Sequence, residues 1–435
     1  MLKIIDFLED ILWSYIDFIL IMTIGCYLSF KSKFFQIKTI FSPRETFRSI
    51  LKKTKQKETN GISPIRLYFS SMGGSIGIGN VGACITAVSI GGPGGLFWMW
   101  VAVFIGMLVK YAEIFLGIKY RTQNKTGGFD GGAPYYLMHA FRPKWIAIVF
   151  SFLLCIYGVE IFQFKVIEDA FVEAFGINQY IAMVLLLTGT IYVTLGGIKR
   201  LSTICTALMP FFLVVYTVVC IYAIYNSNVD FVDLLKIVLE SAFIGHAPIG
   251  GFAGSTFAMA VNYGMSKAVY SGDIGMGYDA VIQSETRIAD PCAQARTAIF
   301  SLFTDCAICT LTVILVLSTG QWCASHKTVF DCVVTALSKY LPHTKKLMAI
   351  FFFLAGWTTV LGYLAVGMKC AKVISSSIGQ KLYLVYAVCA FMLFSFLDQS
   401  IALTLMSVSG GLLLLINLIG IFKLRNEIKF SSARL

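Results

Sequence analysis

Charged side chains are scarce in this sequence. They make up 13% of the 435 residues, against 57% that are hydrophobic. A soluble chain of this length needs more charge than that to cover its surface. Histidine is scarcer still, with only His139, His246, His326 and His343, far apart in the sequence. There is no H-E-x-x-H and no paired acidic motif in a loop, so a membrane-bound enzyme has no assembled nucleophile, base or metal set. The first apolar block, 11–30, follows Asp6, Glu9 and Asp10 instead of a basic stretch, and no small-residue cleavage pattern comes after it. A cleavable signal peptide is therefore not expected. The apolar blocks do not alternate in hydropathy, which argues against a β-barrel.

What the chain does have is about eleven apolar blocks long enough to cross a bilayer, roughly 20 residues each. The expected fold is an all-α polytopic membrane protein. The net charge of +12 sits largely in loops between blocks, as the positive-inside rule requires, and nucleic acid is not expected as a partner. The basic linker 31–60 is then cytoplasmic and the N-terminus external. An odd number of spans leaves the basic tail, 423–435, inside. The loop 321–346 fits least well, being mildly basic on the expected outer side. Most of the twelve cysteines fall inside spans, where Cys serves as a small buried hydrophobe. Cys306-x-x-Cys309 reads as two packing residues. Cys323 and Cys332 share one loop and can bridge if it faces an oxidising compartment.

The stretch from Ser71 to Ile90 is apolar enough to be buried, yet carries Gly73, Gly74, Gly77, Gly79 and Gly82. Gly77-Ile78-Gly79-Asn80-Val81-Gly82 spells the G-x-G-x-x-G of dinucleotide folds. That reading needs a preceding strand and an acid about 20 residues on. Here the flanks are bilayer-length apolar sequence, and FWMWVAVFIGM follows with no acid. Helix packing through small residues is the bland alternative. A helix made easy to unwind explains more, because glycine costs about 1 kcal/mol in a helix interior and unwound backbone in a membrane lines a cavity. A second glycine cluster lies in Ile244–Gly264, with Pro248 and Gly250, Gly251 and Gly254. The two fall on the first and sixth of ten spans, the spacing of an inverted 5+5 repeat with a broken helix opening each half. The expected organisation is an N-terminal helix and linker (1–60), two five-helix repeats (61–243 and 244–422) and a basic tail (423–435).

Several stretches resemble the alanine or glycine:cation symporters, also called sodium:alanine symporters. They are GISPIRLYFSSMGGSIGIGNVGACITAVSIGGPGGLFWMW (61–100), GMLVKYAEIFLGIKYR (106–121), GGAPYYL (131–137), FTDCAICTLT (303–312) and WTTVLGYLAVGMKC (357–370). The resemblance implies a fold similar to LeuT-type transporters, in a bacterial or archaeal cytoplasmic membrane. It implies Na+-coupled uptake of a small neutral amino acid, alanine or glycine, the D-enantiomer of alanine included. Na+ is the expected coupling ion, no organic cofactor is expected, and the expected state is a monomer among membrane lipids.

Carried over on matching positions, Gly73 and Ile76 would give backbone carbonyls to Na+, and Thr358 and Thr359 their hydroxyls. The bland reading of the two threonines is bonding back to their own helix. Ser75, Gly79, Asn80, Gln163, Phe252, Ala253, Gly254 and Tyr363 would surround the substrate, its carboxylate on backbone N–H groups. An interhelical hydrogen bond competes as the role of Gln163. Tyr363 stands where the family often has tryptophan.

Other polar residues sit in or beside spans. Lys110 and Glu113 have the spacing of an i,i+3 pair. Asp305 is an intramembrane acid and hence a functional candidate, with Arg296 or Lys267 as structural partners. The family's Arg-Gly and Ser-Asn-Glu-Ala-Gly run departs here to SKAVYSGDIGMGYDA (266–280). Lys267 replaces the arginine, and Gly272-Asp273 replace the asparagine and glutamate. This run is expected to affect a cytoplasmic gate more than the pocket. A different small amino acid, or coupling to H+ through Asp305 or a histidine, is the alternative within the fold.

Overall fold

The computed structural model describes residues 11–54, 61–124, 127–244, 257–323, 328–396 and 400–431. The principal helices are α1 (Phe18–Lys31, continuing a π-helical turn at Leu12–Asp17), α2 (Pro64–Ser75), α3 (Ile78–Gly91), α4 (Gly95–Lys119), α5 (Trp145–Tyr157), α6 (Ile161–Phe175), α7 (Gln179–Leu195), α8 (Gly197–Asn226), α9 (Phe257–Ser271), α10 (Tyr278–Ser284), α11 (Thr297–Ser318), α12 (Thr344–Ile374), α13 (Gly379–Phe394) and α14 (Ser400–Lys423). The described strands are a two-residue antiparallel pair, Thr122–Gln123 with Phe129–Asp130.

Six described helical stretches are long and apolar enough to cross a membrane, and the bent pair α2–α3 makes a seventh. The chain is thus a multi-pass membrane protein. Length and apolarity alone do not reach the expected eleven. Breaks divide several spans, α7 and α13 are short, and part of the chain lies outside the described residues. Burial sorts centre from edge. The apolar windows of α4 and α12 are each 83% buried, whereas that of α8 is 28% buried. Exposed Phe211, Val214 and Val218 on α8 suit hydrocarbon, where a helix has satisfied its own backbone bonds.

The first glycine cluster breaks its span. α2 ends at Ser75, α3 starts at Ile78, and the two are bent by 46°. Bulk is excluded on both sides of the break. A methyl group on Gly74 would meet the Tyr278 ring at 2.1 Å, and one on Gly77 would meet Gln163 Oε1 at 2.5 Å and Thr359 Oγ1 at 2.6 Å.

The expected second break, around Gly250–Ser255, lies outside the described residues. A helix interruption that is described falls later, at 272–277, between α9 and α10. Asp273 has φ 49°, and Gly275 and Gly277 have φ 88° and 80°, left-handed values that glycine adopts without strain. α9 packs along α3 and α4, and α10 against α2 and α4. The two interruptions therefore lie side by side. A third interruption separates α5 from α6, where Glu160 has φ 53°.

Lys110 and Glu113 do not pair with each other, although the helix brings them onto one face. Lys110 is bound to Asp279 of α10, and Glu113 accepts from the Gly277 N–H at 2.9 Å and from Asn417 of α14. The strongly interrupted backbone at 272–277 offers donors that a neighbouring lysine on the same helix does not match. Cys306, Cys309 and Cys332 are free thiols. The side chain of Cys323 lies outside the described residues.

Candidate functional site

The three interruptions meet around one small polar cavity. It is lined from the first by Gly74, Ser75, Gly77, Gly79 and Asn80, from the second by Tyr270, Ser271 and Asp273, and from the third by Tyr157, Glu160, Phe162 and Gln163. Thr359 and Tyr363 of α12 close it. About 20 Å³ remains for the centre of a water-sized molecule, enough for a water but not for an amino acid.

Thr359 joins α12 to the first break. Its Oγ1 donates either to the Gly73 carbonyl, at 3.1 Å, or to Ala355 of its own helix, at 3.1 Å. The Thr358 hydroxyl turns back to Ala355 at 2.8 Å and Leu354 at 3.0 Å. Both threonines are buried, and Gly73 packs on the Thr358 side chain. Ile76 ends α2 at φ −93° and ψ 88°, its N–H held by Met72. Of the four oxygen candidates, the Thr359 hydroxyl and the Gly73 carbonyl are brought together at the end of α2.

The start of α3 is already occupied. Asn80 Oδ1 accepts from the Gly77 N–H at 2.7 Å, and Gln163 Oε1 from the Ile78 N–H at 3.2 Å. These N–H groups are the first-turn donors that have no intrahelical partner. Two amide oxygens stand where a carboxylate would bind at a helix N-terminus. Gln163 Nε2 donates to Glu160 at 3.1 Å, and Asn80 Nδ2 donates to the Asp305 carboxylate. Asp305 is therefore held by Asn80, a partner the sequence did not suggest in place of Arg296 or Lys267. Arg296 instead reaches the Ser431 carbonyl.

Ser75 faces the cavity, but its Oγ donates to Ser71 at 3.0 Å and accepts from Lys110 at 3.0 Å. The Lys110 ammonium also donates to the Gly272 carbonyl at 2.8 Å and lies 2.6 Å from Asp279 Oδ2. Asp279 in turn accepts from Ser71. One ammonium group thereby ties the first interruption to the second.

Gly79, Asn80, Gln163, Ser75 and Tyr363, chosen from the sequence, do line this cavity. Phe252, Ala253 and Gly254 lie outside the described residues. Part of the run 266–280, for which a gate role was expected, also lines this cavity. Tyr270, Ser271 and Asp273 reach the cavity because the chain is interrupted there. Lys267, one turn earlier on α9, is half-buried and is not among the lining residues. Glu160 and Tyr157 were missed. The signal for Glu160 was present, since it is an acid within one long apolar stretch, 145–175.

A second polar cluster ties the hairpin end of the bundle. Asp130 receives Lys369 at 2.8 Å and Lys372 at 2.7 Å, and Lys369 also meets Glu285. Arg121 donates to the carbonyls of Ser284 at 2.9 Å and Ile288 at 3.1 Å, and to that of Thr286. Burial would raise the Asp130 carboxyl, but the two ammonium groups outweigh it and hold it below the usual carboxylate range.

Comparison with known proteins places this site in context. The sequence matches the sodium:alanine symporter family over residues 1–432. The chain is 26% identical to the sodium/alanine symporter AgcS of Methanococcus maripaludis, covering 97% of this chain and 94% of that protein. It is also 26% identical to the probable sodium/glutamine symporter GlnT of Bacillus subtilis, over 97% and 88% of the two chains. Among solved structures it resembles the nucleobase-cation-symport-1 family transporter Mhp1 in a closed conformation, with a TM-score of 0.55, 11% identity, and 80% and 77% of the chains covered. That last likeness speaks to the fold alone.

Proposed function

We propose, for a chain that belongs to the sodium:alanine symporter family, that it carries a small neutral amino acid into the cell together with Na+. The family is one of transporters, so the membrane-enzyme reading falls away. Alanine or glycine is the proposed cargo. The observation that carries the reading is the meeting of two broken helices at one buried polar cavity, with α12 hydrogen-bonded to the first break through Thr359.

In this reading Na+ sits at the end of α2, among the carbonyls of Gly73 and Ile76 and the hydroxyls of Thr358 and Thr359. Na+ is a hard cation that suits oxygen ligands. Ion binding takes the Gly73 carbonyl and the Thr359 oxygen as ligands, turns the hydroxyl proton to Ala355 of its own helix, and couples α12 to the first break. The substrate carboxylate takes the N–H groups at the start of α3, displacing the amide oxygens of Asn80 and Gln163. Gly79 lets the ligand approach the backbone, Ser75 flanks it, and Tyr363 forms a wall. Alternating exposure follows from rocking α2–α3 and α9–α10 against the surrounding helices. We read the two interrupted segments as members of an inverted 5+5 repeat, 61–243 and 244–422, preceded by α1 and its linker. The proposed site for the protein is the cytoplasmic membrane, with the N-terminus outside and the C-terminus inside.

The test is uptake of labelled alanine and glycine into proteoliposomes, with and without an inward Na+ gradient, for the wild type and Thr359→Ala. Na+-driven uptake that disappears in the variant is the expected result. Uptake that ignores Na+ and follows a pH gradient instead would transfer the reading to H+ coupling. GlnT keeps glutamine in the panel of amino acids to try.

A further inference from the structure

The cavity lining is acidic. Among its described residues are two carboxylates, Glu160 and Asp273, and no lysine, arginine or histidine. Glu160 is 4% exposed and Asp273 is 6% exposed. They stand on different interruptions, both with left-handed backbone that non-glycine residues adopt at a cost. Both line one cavity with space for about a single water. The nearest cation, Lys110, spends its hydrogen bonds on Ser75, Gly272 and Asp279.

Two further atoms point to a missing partner. Asp273 Oδ2 has no hydrogen-bond partner, and neither has the hydroxyl of Tyr363, a side chain 1% exposed that lines the same cavity. Buried carboxylates are strongly disfavoured unless a cation or a set of donors meets them. The Tyr363 phenol has one hydrogen to give to a neighbouring carboxylate, which leaves the phenol's own acceptor positions and the other carboxylate positions for a group that brings several N–H donors and positive charge. A primary ammonium has three donors and no acceptor.

We propose that Glu160 and Asp273, with the Tyr363 hydroxyl between them and the bulk of α12, form the ammonium-binding half of the site. The ligand class is a primary amine, supplied by the substrate's own α-ammonium. This rests on the reading of the cavity as a substrate site. The carboxylate half, at the start of α3, and the ammonium half then border one cavity, with the Gln163 amide bonded to both the Ile78 N–H and Glu160. An amine is required for recognition and a carboxylate is not sufficient.

The experiment uses the purified full chain and two readouts. In proteoliposomes, alanine uptake is competed by alaninamide, which keeps the amine, and by propionate, which keeps only the carboxylate. In detergent, thermal shift is measured with alanine, alaninamide and propionate at fixed Na+. The variants are Asp273→Asn, Glu160→Gln and the conservative Asp273→Glu. Alaninamide is expected to compete and to stabilise the wild type, and propionate to do neither. Asp273→Asn and Glu160→Gln are expected to weaken alanine and alaninamide by about 10- to 100-fold, the range for hydrogen bonds to charged groups, with half-saturation by Na+ unchanged. Asp273→Glu is expected to keep measurable binding, which separates a lost contact from a lost fold.

Competition by propionate as strong as by alaninamide overturns the proposal. So does a variant set in which Na+ half-saturation moves and amine affinity does not, since the carboxylates would then hold the coupling ion. If the wild type transports no alanine but alaninamide still stabilises it and Asp273→Asn removes that shift, the alanine reading fails and the ammonium site stands.

Discussion

Lys110 Nζ lies 2.6 Å from Asp279 Oδ2, and neither side chain has any exposure. The pair spans 169 positions of sequence and connects α4 to α10. Because Lys110 also holds Ser75 and the Gly272 carbonyl, it braces two interrupted helices against one another. An ion pair of this kind gives little net stability by itself, but losing one member strands the other.

Lys110→Met is therefore expected to destabilise the protein by about 3–5 kcal/mol. Adding Asp279→Asn removes the stranded charge and is expected to recover much of the loss. Thermal unfolding in detergent of the wild type, the single variant and the double variant measures this. A single variant that melts with the wild type would show that the brace carries no load.

Thr359→Ala removes the one α12 hydroxyl that reaches the first break. The stability change is expected to be modest, about 1 kcal/mol, because Ala355 already shares the hydroxyl. Half-saturation of uptake by Na+ is expected to shift at least tenfold, while Thr359→Ser stays near the wild type. Equal behaviour of the Ala and Ser variants in a Na+ titration would argue against an oxygen ligand at this position.

Gly77→Ala adds one methyl group where Gln163 Oε1 and Thr359 Oγ1 stand 2.5 and 2.6 Å away. Both neighbours belong to the proposed site, so the expected outcome is near-complete loss of uptake with the chain still folded. Gel filtration in detergent beside a transport assay separates the two. Gly79→Ala meets only Tyr270 at 3.6 Å, and is expected to keep the fold with a smaller loss.

The Asp130 cluster predicts a pH dependence. Its carboxyl sits below the usual range in the folded protein, so folding favours the charged form. The stability it supplies is complete above the ordinary aspartate value, about 4, and fades as pH falls through the lower folded-state value. Asp130→Asn is expected to melt below the wild type at pH 7, and the gap to close at strongly acidic pH. A gap that persists unchanged in acid would mean that Lys369 and Lys372 are not what Asp130 answers to.

The first break was legible because glycine spacing within an apolar run has few other uses. Gln163 and the Thr358–Thr359 pair were reached through the family resemblance, carried over on matching motif positions. The second interruption was harder. Both Gly250–Gly254 and Gly272–Gly277 are glycine-rich, and composition does not say which is laid beside the first break. The segment 272–277 is laid there by α9 packing along α3 and α4, a long-range fact, while 250–254 lies outside the described residues. The partner of Lys110 was hidden likewise, since local spacing offered Glu113 and the fold supplied Asp279. Glu160 was visible but unread, as its apolar surroundings passed for a continuous helix.

On the proposed reading, the amide oxygens of Asn80 and Gln163 on the Gly77 and Ile78 N–H groups make the protein its own competitive inhibitor. The substrate then evicts two tethered imitators of its carboxylate instead of entering an empty socket. Measured affinity is then the intrinsic affinity divided by the rarity of the evicted state. On the same reading, the tethering keeps the Gly77 and Ile78 N–H groups paired whenever no substrate holds them.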